Sequence, residues 1–153
     1  MPRLTGEASR VLVLGYGNPG RQDDGLGPAF AEAVAALGLP GVAADANYQL
    51  LVEDAEAVAR HEVVVFADAD TKGPGPFSFA RLAPKSELGF TSHSLGPAAV
   101  LALADELFGA RPRAFLLGIR GYEFEGMEEV LTGKARANLN QALVFFRSWI
   151  GNA

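Results

Sequence analysis

The sequence predicts an α/β fold, a three-layer sandwich in which a twisted, mostly parallel sheet of about five strands carries helices on both faces. Short apolar runs alternate with stretches of helical spacing, which is the pattern of such folds. The runs at 11–14, 62–68 and 114–119 are almost continuously apolar, as expected for strands covered on both faces. Residues 1–153 are expected to form a single domain, with residues 1–9 as a flexible N-terminus.

The predicted elements follow one another in a regular order. They are a strand at 11–14, a helix at 28–37, a weak strand at 41–45, a helix at 50–60, a strand at 62–68, an edge or hairpin strand at 77–82, a helix at 97–107, a strand at 114–119 and a final helix at 128–150. Gly38 fits the left-handed position that ends a helix. Ser94 and Pro97 are typical of a helix start, and a break in the last helix is expected near Gly133.

Composition excludes several classes of protein. The chain has no cysteine, which rules out disulfides, thiolate nucleophiles and cysteine-based metal sites. A net charge of -5 without a clustered Lys/Arg face argues against nucleic-acid binding. No apolar run is long enough to span a bilayer. The first residues lack the apolar stretch of a signal peptide, so we expect a cytoplasmic protein without a membrane partner.

A glycine-rich stretch follows the first strand and allows two interpretations. Gly15, Gly17 and Gly20 match the G-x-G-x-x-G turn of dinucleotide-binding domains. Asp23 and Asp24 then stand at the start of the next helix, where a phosphate would have to bind. Two acids there satisfy the positive end of the helix dipole internally. A cation site is therefore favoured over a phosphate site.

Three polar groups come at strand ends or at helix starts that face them. They are the pair Asp23/Asp24, then Asp68 with Asp70 nearby, and His93. Ligands of α/β sheets bind at the carboxyl ends of the strands, and a mixed carboxylate–imidazole set suits a borderline cation such as nickel or zinc. Each residue also has a structural interpretation, as a helix cap, a turn residue or a surface histidine.

No nucleophile is indicated by the sequence. It contains no G-x-S-x-G elbow, no P-loop and no H-E-x-x-H helix, the motifs of serine hydrolases, nucleoside triphosphatases and zincins. A hydrolase that lacks such a nucleophile would use water near a metal, which polarises a carbonyl and lowers the pKa of bound water. In the alternative, the metal only docks the substrate and a strand-end aspartate acts as general base.

Several motifs occur together in a recognisable order. Residues 15–18 (Gly-Tyr-Gly-Asn) are followed by the acidic pair and by Gly25-Leu26-Gly27. Further matches lie at 48–50 (Tyr-Gln-Leu), 66–69 (Phe-Ala-Asp-Ala), 92–94 (Ser-His-Ser) and 121–125 (Gly-Tyr-Glu-Phe-Glu). Over nearly its whole length the chain resembles the nickel–iron hydrogenase maturation endopeptidases.

The resemblance implies a metal-dependent endopeptidase that removes a C-terminal extension from the nickel-loaded precursor of a hydrogenase large subunit. Carried over by position, Asp24, Asp68 and His93 would recognise nickel, and Asp24 and Asp68 would be the catalytic carboxylates. The nickel would be supplied by the precursor, and other divalent cations would also fit the site. The expected partner is that precursor, and the protein itself is expected to be a monomer or a weak homo-oligomer.

Two other functions remain open at this point. A nucleotide-binding α/β domain would use Gly15, Gly17 and Gly20, with Asp45 near the end of the second strand binding a ribose. A non-catalytic docking or metal-sensing protein would keep the metal site without cleaving anything. Retention of a nucleotide would support the first, and binding without cleavage of a metal-loaded precursor would support the second.

Overall fold

The computed structural model describes residues 9–86 and 95–152. In this part of the chain, five strands form one sheet in the order β2-β1-β3-β5-β4. The strands are β1 Val11–Tyr16, β2 Val42–Asn47, β3 Val63–Asp70, β4 Phe77–Arg81 and β5 Arg113–Arg120. All neighbours pair in parallel except β4, which is antiparallel to β5 at one edge. The mostly parallel sheet and its edge strand are confirmed.

Within residues 9–86 and 95–152, four α-helices cover the two faces of the sheet. They are α1 Leu26–Leu37, α2 Asp54–Ala59, α3 Pro97–Phe108 and α4 Gly133–Asn152. Leu14 and Phe66 point into a core shared with α2 and α3. Val13 and Val65 point into a second core shared with α1 and α4. This alternation follows from the two-residue period of a strand, and the predicted three-layer sandwich is confirmed.

The boundaries of all four helices differ from the sequence prediction, by only two residues at the start of α1 and one residue at the end of α3. The last helix begins at Gly133, not at 128, because the Thr132 hydroxyl accepts a hydrogen bond from Ala135 N at 3.2 Å and caps the helix. The second helix is confined to Asp54–Ala59, since Leu51 N donates to the Asp54 carboxylate (2.7 Å) in a turn. Gly96, not Ser94, precedes α3 as its N-cap, and Pro97 occupies the first position as expected. Ser94 lies outside the described residues.

A 3-10 segment, Pro19–Gly25, links β1 to α1 and was not predicted. Arg21 and Gln22 interrupt it with non-helical backbone angles, and Gln22 has a φ of 50°. The Asn18 side chain caps its start by accepting from Gly20 N (2.9 Å). This segment places the acidic pair at the carboxyl edge of the sheet. No helix in the described part of the chain has the length and apolar character needed to cross a membrane.

Candidate functional site at the carboxyl edge of the sheet

The carboxyl ends of β1 and β3 bring Tyr16 and Asp68 side by side. The parallel register pairs Gly15 with Ala67, and Tyr16 and Asp68 are the next residues on each strand. They follow Leu14 and Phe66 by two positions, so both belong to the face covered by α2 and α3. The Tyr16 ring packs against the core on that face, and its hydroxyl donates a hydrogen bond to the Asp68 carboxylate.

Asp68 has an electrostatic environment that disfavours its charge. Burial raises the pKa of Asp68 to about 6, and the negative charge of Asp24 contributes in the same direction. Hydrogen bonds donated by Ala69 N–H and by Tyr16 oppose the increase without cancelling it. Two carboxylates predicted from separate strand ends thus lie close enough to repel each other. Such like-charge pairs with a perturbed pKa are typical of functional sites.

Asp24 is held by the turn that precedes it. Its Oδ2 accepts a hydrogen bond from Asn18 N at 2.8 Å, so the loop after β1 folds back on the acidic pair. Gly17 has a φ of 140°, and a Cβ at this position would overlap the Asp24 carbonyl oxygen. Glycine is therefore required at position 17 both by its backbone angle and by the close approach of Asp24.

Asp23, the other member of the pair, has a structural role. It is fully buried, and its carboxylate accepts hydrogen bonds from Tyr122 N (2.8 Å), Glu123 N (3.0 Å), Thr132 N (2.8 Å) and the Thr132 hydroxyl (2.8 Å). Burial alone would raise the pKa of Asp23, but these hydrogen bonds outweigh it and the pKa is lowered. Asp23 thereby fixes the loop 121–132 against the 3-10 segment.

The glycines of the loop after β1 allow neighbouring backbone segments to pack closely against one another. A Cβ on Gly15 would overlap the Gly27 carbonyl oxygen, and one on Gly27 would meet the carbonyl oxygens of Tyr16 and Ala67. The start of α1 is therefore pressed against β1 and β3. Backbone occupies the space next to Gly15 and Gly17 that a phosphate would need, so the geometry disfavours the nucleotide-binding hypothesis.

The remaining candidates from the sequence are His93 and Asp70. His93 lies outside the described residues, and its place in the predicted trio stays a prediction. Asp70 forms a turn, accepting from Lys72 N (3.0 Å) and Gly73 N (2.9 Å). Across residues 9–86 and 95–152, no group of three His, Cys, Asp or Glu side chains could hold a metal ion. Asp24 and Asp68 are therefore the part of the predicted site that the described residues contain.

A cleft of about 270 Å³ opens beside the turn that holds Asp24. It is lined by Gly17, Pro19, Pro28, Glu32, Ala46, Asn47 and Tyr48, and Tyr48 is 72% exposed at its rim. Sequence reasoning quoted Tyr16 and Tyr48 as parts of motifs but predicted neither this cleft nor a role for Tyr16. The signal for Tyr16 was its position two residues after Leu14, on the same face of β1.

Several proteins of known structure share the fold of this chain. No protein-family model and no curated protein sequence matches the chain. Among solved structures, it is similar to the nickel–iron hydrogenase maturation protease HycI from Thermococcus kodakarensis KOD1, with 22% identity, 92% of each chain covered and a TM-score of 0.70. It is also similar to the hydrogenase maturating endopeptidase HybD from E. coli, with 22% identity, coverage of 94% and 93%, and a TM-score of 0.68.

A third solved structure, an endopeptidase from Escherichia coli, is 25% identical with a TM-score of 0.64, and the alignment covers 90% of this chain and 89% of the other. The chain therefore has the fold of the hydrogenase maturation proteases over almost its whole length. The family that the sequence motifs resemble and the proteins that share the fold are the same.

Proposed function

We propose that this chain is an endopeptidase of the nickel–iron hydrogenase maturation type, which removes a C-terminal extension from a nickel-loaded large-subunit precursor. The observation that carries the proposal is the meeting of Asp24 and Asp68 at the carboxyl edge of the sheet, on a fold shared with proteases of that name. The ordered sequence motifs add support that the overall fold alone does not give.

The two carboxylates would recognise the nickel that the precursor carries. Carboxylate oxygens are acceptable ligands for a borderline divalent cation, and an imidazole would complete a mixed oxygen–nitrogen set. His93 is the proposed imidazole. Leu95, two residues further along the chain, is buried in the core on the α2 and α3 face, the face on which Asp68 lies. A cation at this position would also offset the repulsion between Asp24 and Asp68.

Asp68 also has the properties of a general base. Without a bound cation its pKa is about 6, so Asp68 is largely ionised at neutral pH. Nickel nearby would lower this pKa and keep the carboxylate ionised until it accepts the proton from water. Water would attack the scissile carbonyl carbon, the peptide C–N bond would break, and the proton taken up by Asp68 would pass to the leaving amine. In this scheme nickel in the precursor identifies the substrate that is ready for cleavage.

The proposal is tested with purified protein and a large-subunit precursor prepared with and without nickel. Release of the C-terminal peptide is followed by mass spectrometry. We expect cleavage of the nickel-loaded precursor only, and its loss by at least 100-fold in Asp24→Ala, Asp68→Ala and His93→Ala. Glu106→Ala, which changes an exposed acid on α3, is the control and should cleave normally.

Each alternative result has a definite meaning. Normal cleavage by Asp68→Ala would remove that residue from the chemistry. Equal cleavage of both precursors would overturn nickel recognition while leaving the peptidase assignment in place. Nickel-dependent binding of the precursor without any cleavage by the wild-type chain would overturn the peptidase and identify a docking or metal-sensing protein.

A further inference from the structure

The carboxyl end of β1 carries a tyrosine whose two halves have different surroundings. The Tyr16 ring is partly buried against the apolar core under α2 and α3. Its hydroxyl reaches the polar edge of the sheet and donates a hydrogen bond to Asp68. A phenylalanine would fill the same apolar space, so packing alone does not require the hydroxyl.

The sheet register fixes this contact. Gly15 and Ala67 pair directly, and they precede Tyr16 and Asp68 on strands that are buried up to this point. The backbone on both sides is immobilised by close packing, since Gly15 touches the start of α1 and Gly17 touches Asp24. The phenol is therefore held on a rigid strand end, with little freedom to move away from Asp68.

The same short turn orients both carboxylates of the candidate site. Asn18 N donates to Asp24, and two residues earlier the Tyr16 hydroxyl donates to Asp68. One lone pair of each carboxylate is thereby occupied by a group of residues 16–18. Outer hydrogen bonds of this kind orient metal-binding groups, and their loss lowers metal affinity by roughly 10–100-fold.

We propose that Tyr16 is a positioning residue that orients the Asp68 carboxylate for cation binding and peptide cleavage through its hydroxyl hydrogen bond. The inference rests on the proposed function, because it assumes that Asp68 contacts the cation. It assigns to Tyr16 no direct contact with the substrate or the reacting atoms. Tyr16 acts only by holding the Asp68 carboxylate in a fixed orientation.

The test is Tyr16→Phe, which removes one oxygen atom and retains the ring in the core. Ni²⁺ is titrated into the wild-type chain, Tyr16→Phe, Asp68→Ala and Tyr122→Phe, and binding is measured by calorimetry. Tyr122→Phe is the matched control, because its hydroxyl accepts from Asn138 Nδ2 (3.0 Å) instead. We expect Tyr16→Phe to remain folded, with a melting temperature lowered by no more than roughly 5 °C, and to bind Ni²⁺ roughly 10–100-fold more weakly. Tyr122→Phe should bind like the wild type.

A parallel assay with the nickel-loaded precursor tests the same role in cleavage. Because Asp68 contacts the nickel of the precursor and also accepts the proton from water, Tyr16→Phe should raise KM by about the same factor and lower kcat as well. If Asp68→Ala abolishes Ni²⁺ binding and cleavage but Tyr16→Phe behaves like the wild type in both assays, the positioning role is overturned and the proposed function stands. If the wild-type chain neither binds Ni²⁺ nor cleaves the precursor, the proposed function is overturned and the role of Tyr16 with it.

Discussion

At the scale of single residues, two adjacent aspartates have opposite environments. Asp23 is fully buried and surrounded by donors that stabilise its charge. Asp24 is only partly buried and faces the charge of Asp68. The first holds the chain together, and the second is available to a ligand. Of these two adjacent aspartates, Asp23 is therefore structural and Asp24 is the candidate functional residue.

Asp68 is expected to reduce stability at neutral pH. Its folded-state pKa is raised from 3.8 to about 6, so between these pH values the folded chain binds a proton more readily than the unfolded chain. Stability consequently falls as the pH rises toward 6 and stays lower above it. Asp68→Asn, neutral at every pH, should raise the melting temperature by roughly 3 °C or more at pH 8 and by little at pH 4.

The measurement is a melting curve at pH 4 and at pH 8, with Glu106→Gln, an exposed acid on α3, as the control. The control should show no such dependence on pH. A lower melting temperature for Asp68→Asn at pH 8 would contradict the expectation. Asp68→Asn would thus gain thermal stability while losing the carboxylate of the proposed site. Such a trade-off between stability and activity is common where a site keeps an unfavourable charge.

Sequence reasoning identified Asp24 and Asp68 but could not identify their supporting residues. The strand-end rule applies to any carboxylate that follows an apolar run, and it selected both acids of the pair equally. Only the family resemblance favoured Asp24 over Asp23. The hydrogen bond from Tyr16 to Asp68 depends on the register between β1 and β3, which a single sequence does not encode in any local pattern.

At the scale of elements, the 3-10 segment and the loop 121–132 form one unit. Asp23 N donates to Glu123 O (2.9 Å) and Gln22 N donates to Glu128 O (3.1 Å), in addition to the four bonds that the Asp23 carboxylate accepts. The loop itself is mostly exposed. Its shape is therefore determined by hydrogen bonds to Asp23 and its neighbours more than by apolar burial.

Replacing Asp23 should destabilise the protein strongly. Asp23→Ala leaves the N–H groups of Tyr122, Glu123 and Thr132 without their acceptor, and we expect the free energy of unfolding to fall by about 2–4 kcal/mol. Glu129→Ala, an exposed acid on the same loop, should change it by no more than about 0.5 kcal/mol. Denaturant unfolding measures both, and equal losses in the two variants would refute the structural role of Asp23.

The strands were easier to predict than the connections between them. Apolar runs identified β1, β3 and β5, but their last residues were missed because Tyr16, Asp70 and Arg120 are polar. The 3-10 segment and the start of α4 were missed for a different reason. Besides their local caps at Asn18 and Thr132, both are held by hydrogen bonds between Asp23 and positions about a hundred residues further along the chain, which neither propensity nor periodicity reports.

At the scale of the whole molecule, stability should be greatest in the middle of the sheet. Val13 on β1 and Val65 on β3 are fully buried, and both strands have neighbours on each side. β2 and β4 are edge strands and are only partly buried. We expect the amides of β1 and β3 to exchange with solvent most slowly and those of β2 and β4 to exchange much faster.

Hydrogen exchange followed by mass spectrometry or NMR measures this order directly. The exposed loop 121–132 is the internal reference for rapid exchange, apart from the amides bonded to Asp23. Equal protection of edge and central strands would show that the sheet opens only as a single unit. The predicted gradient would place the carboxyl ends of β1 and β3, which carry Tyr16 and Asp68, on the most stable part of the scaffold.

The bonds to Asp23 have a consequence for biosynthesis. Their donors lie 99 to 109 residues further along the chain, so a ribosome must add that many residues before Asp23 can meet its partners. The acidic turn therefore emerges long before it acquires its final surroundings. A nascent chain would thus carry the Asp23/Asp24 turn well before residues 121–132 are available to hold it in its final arrangement.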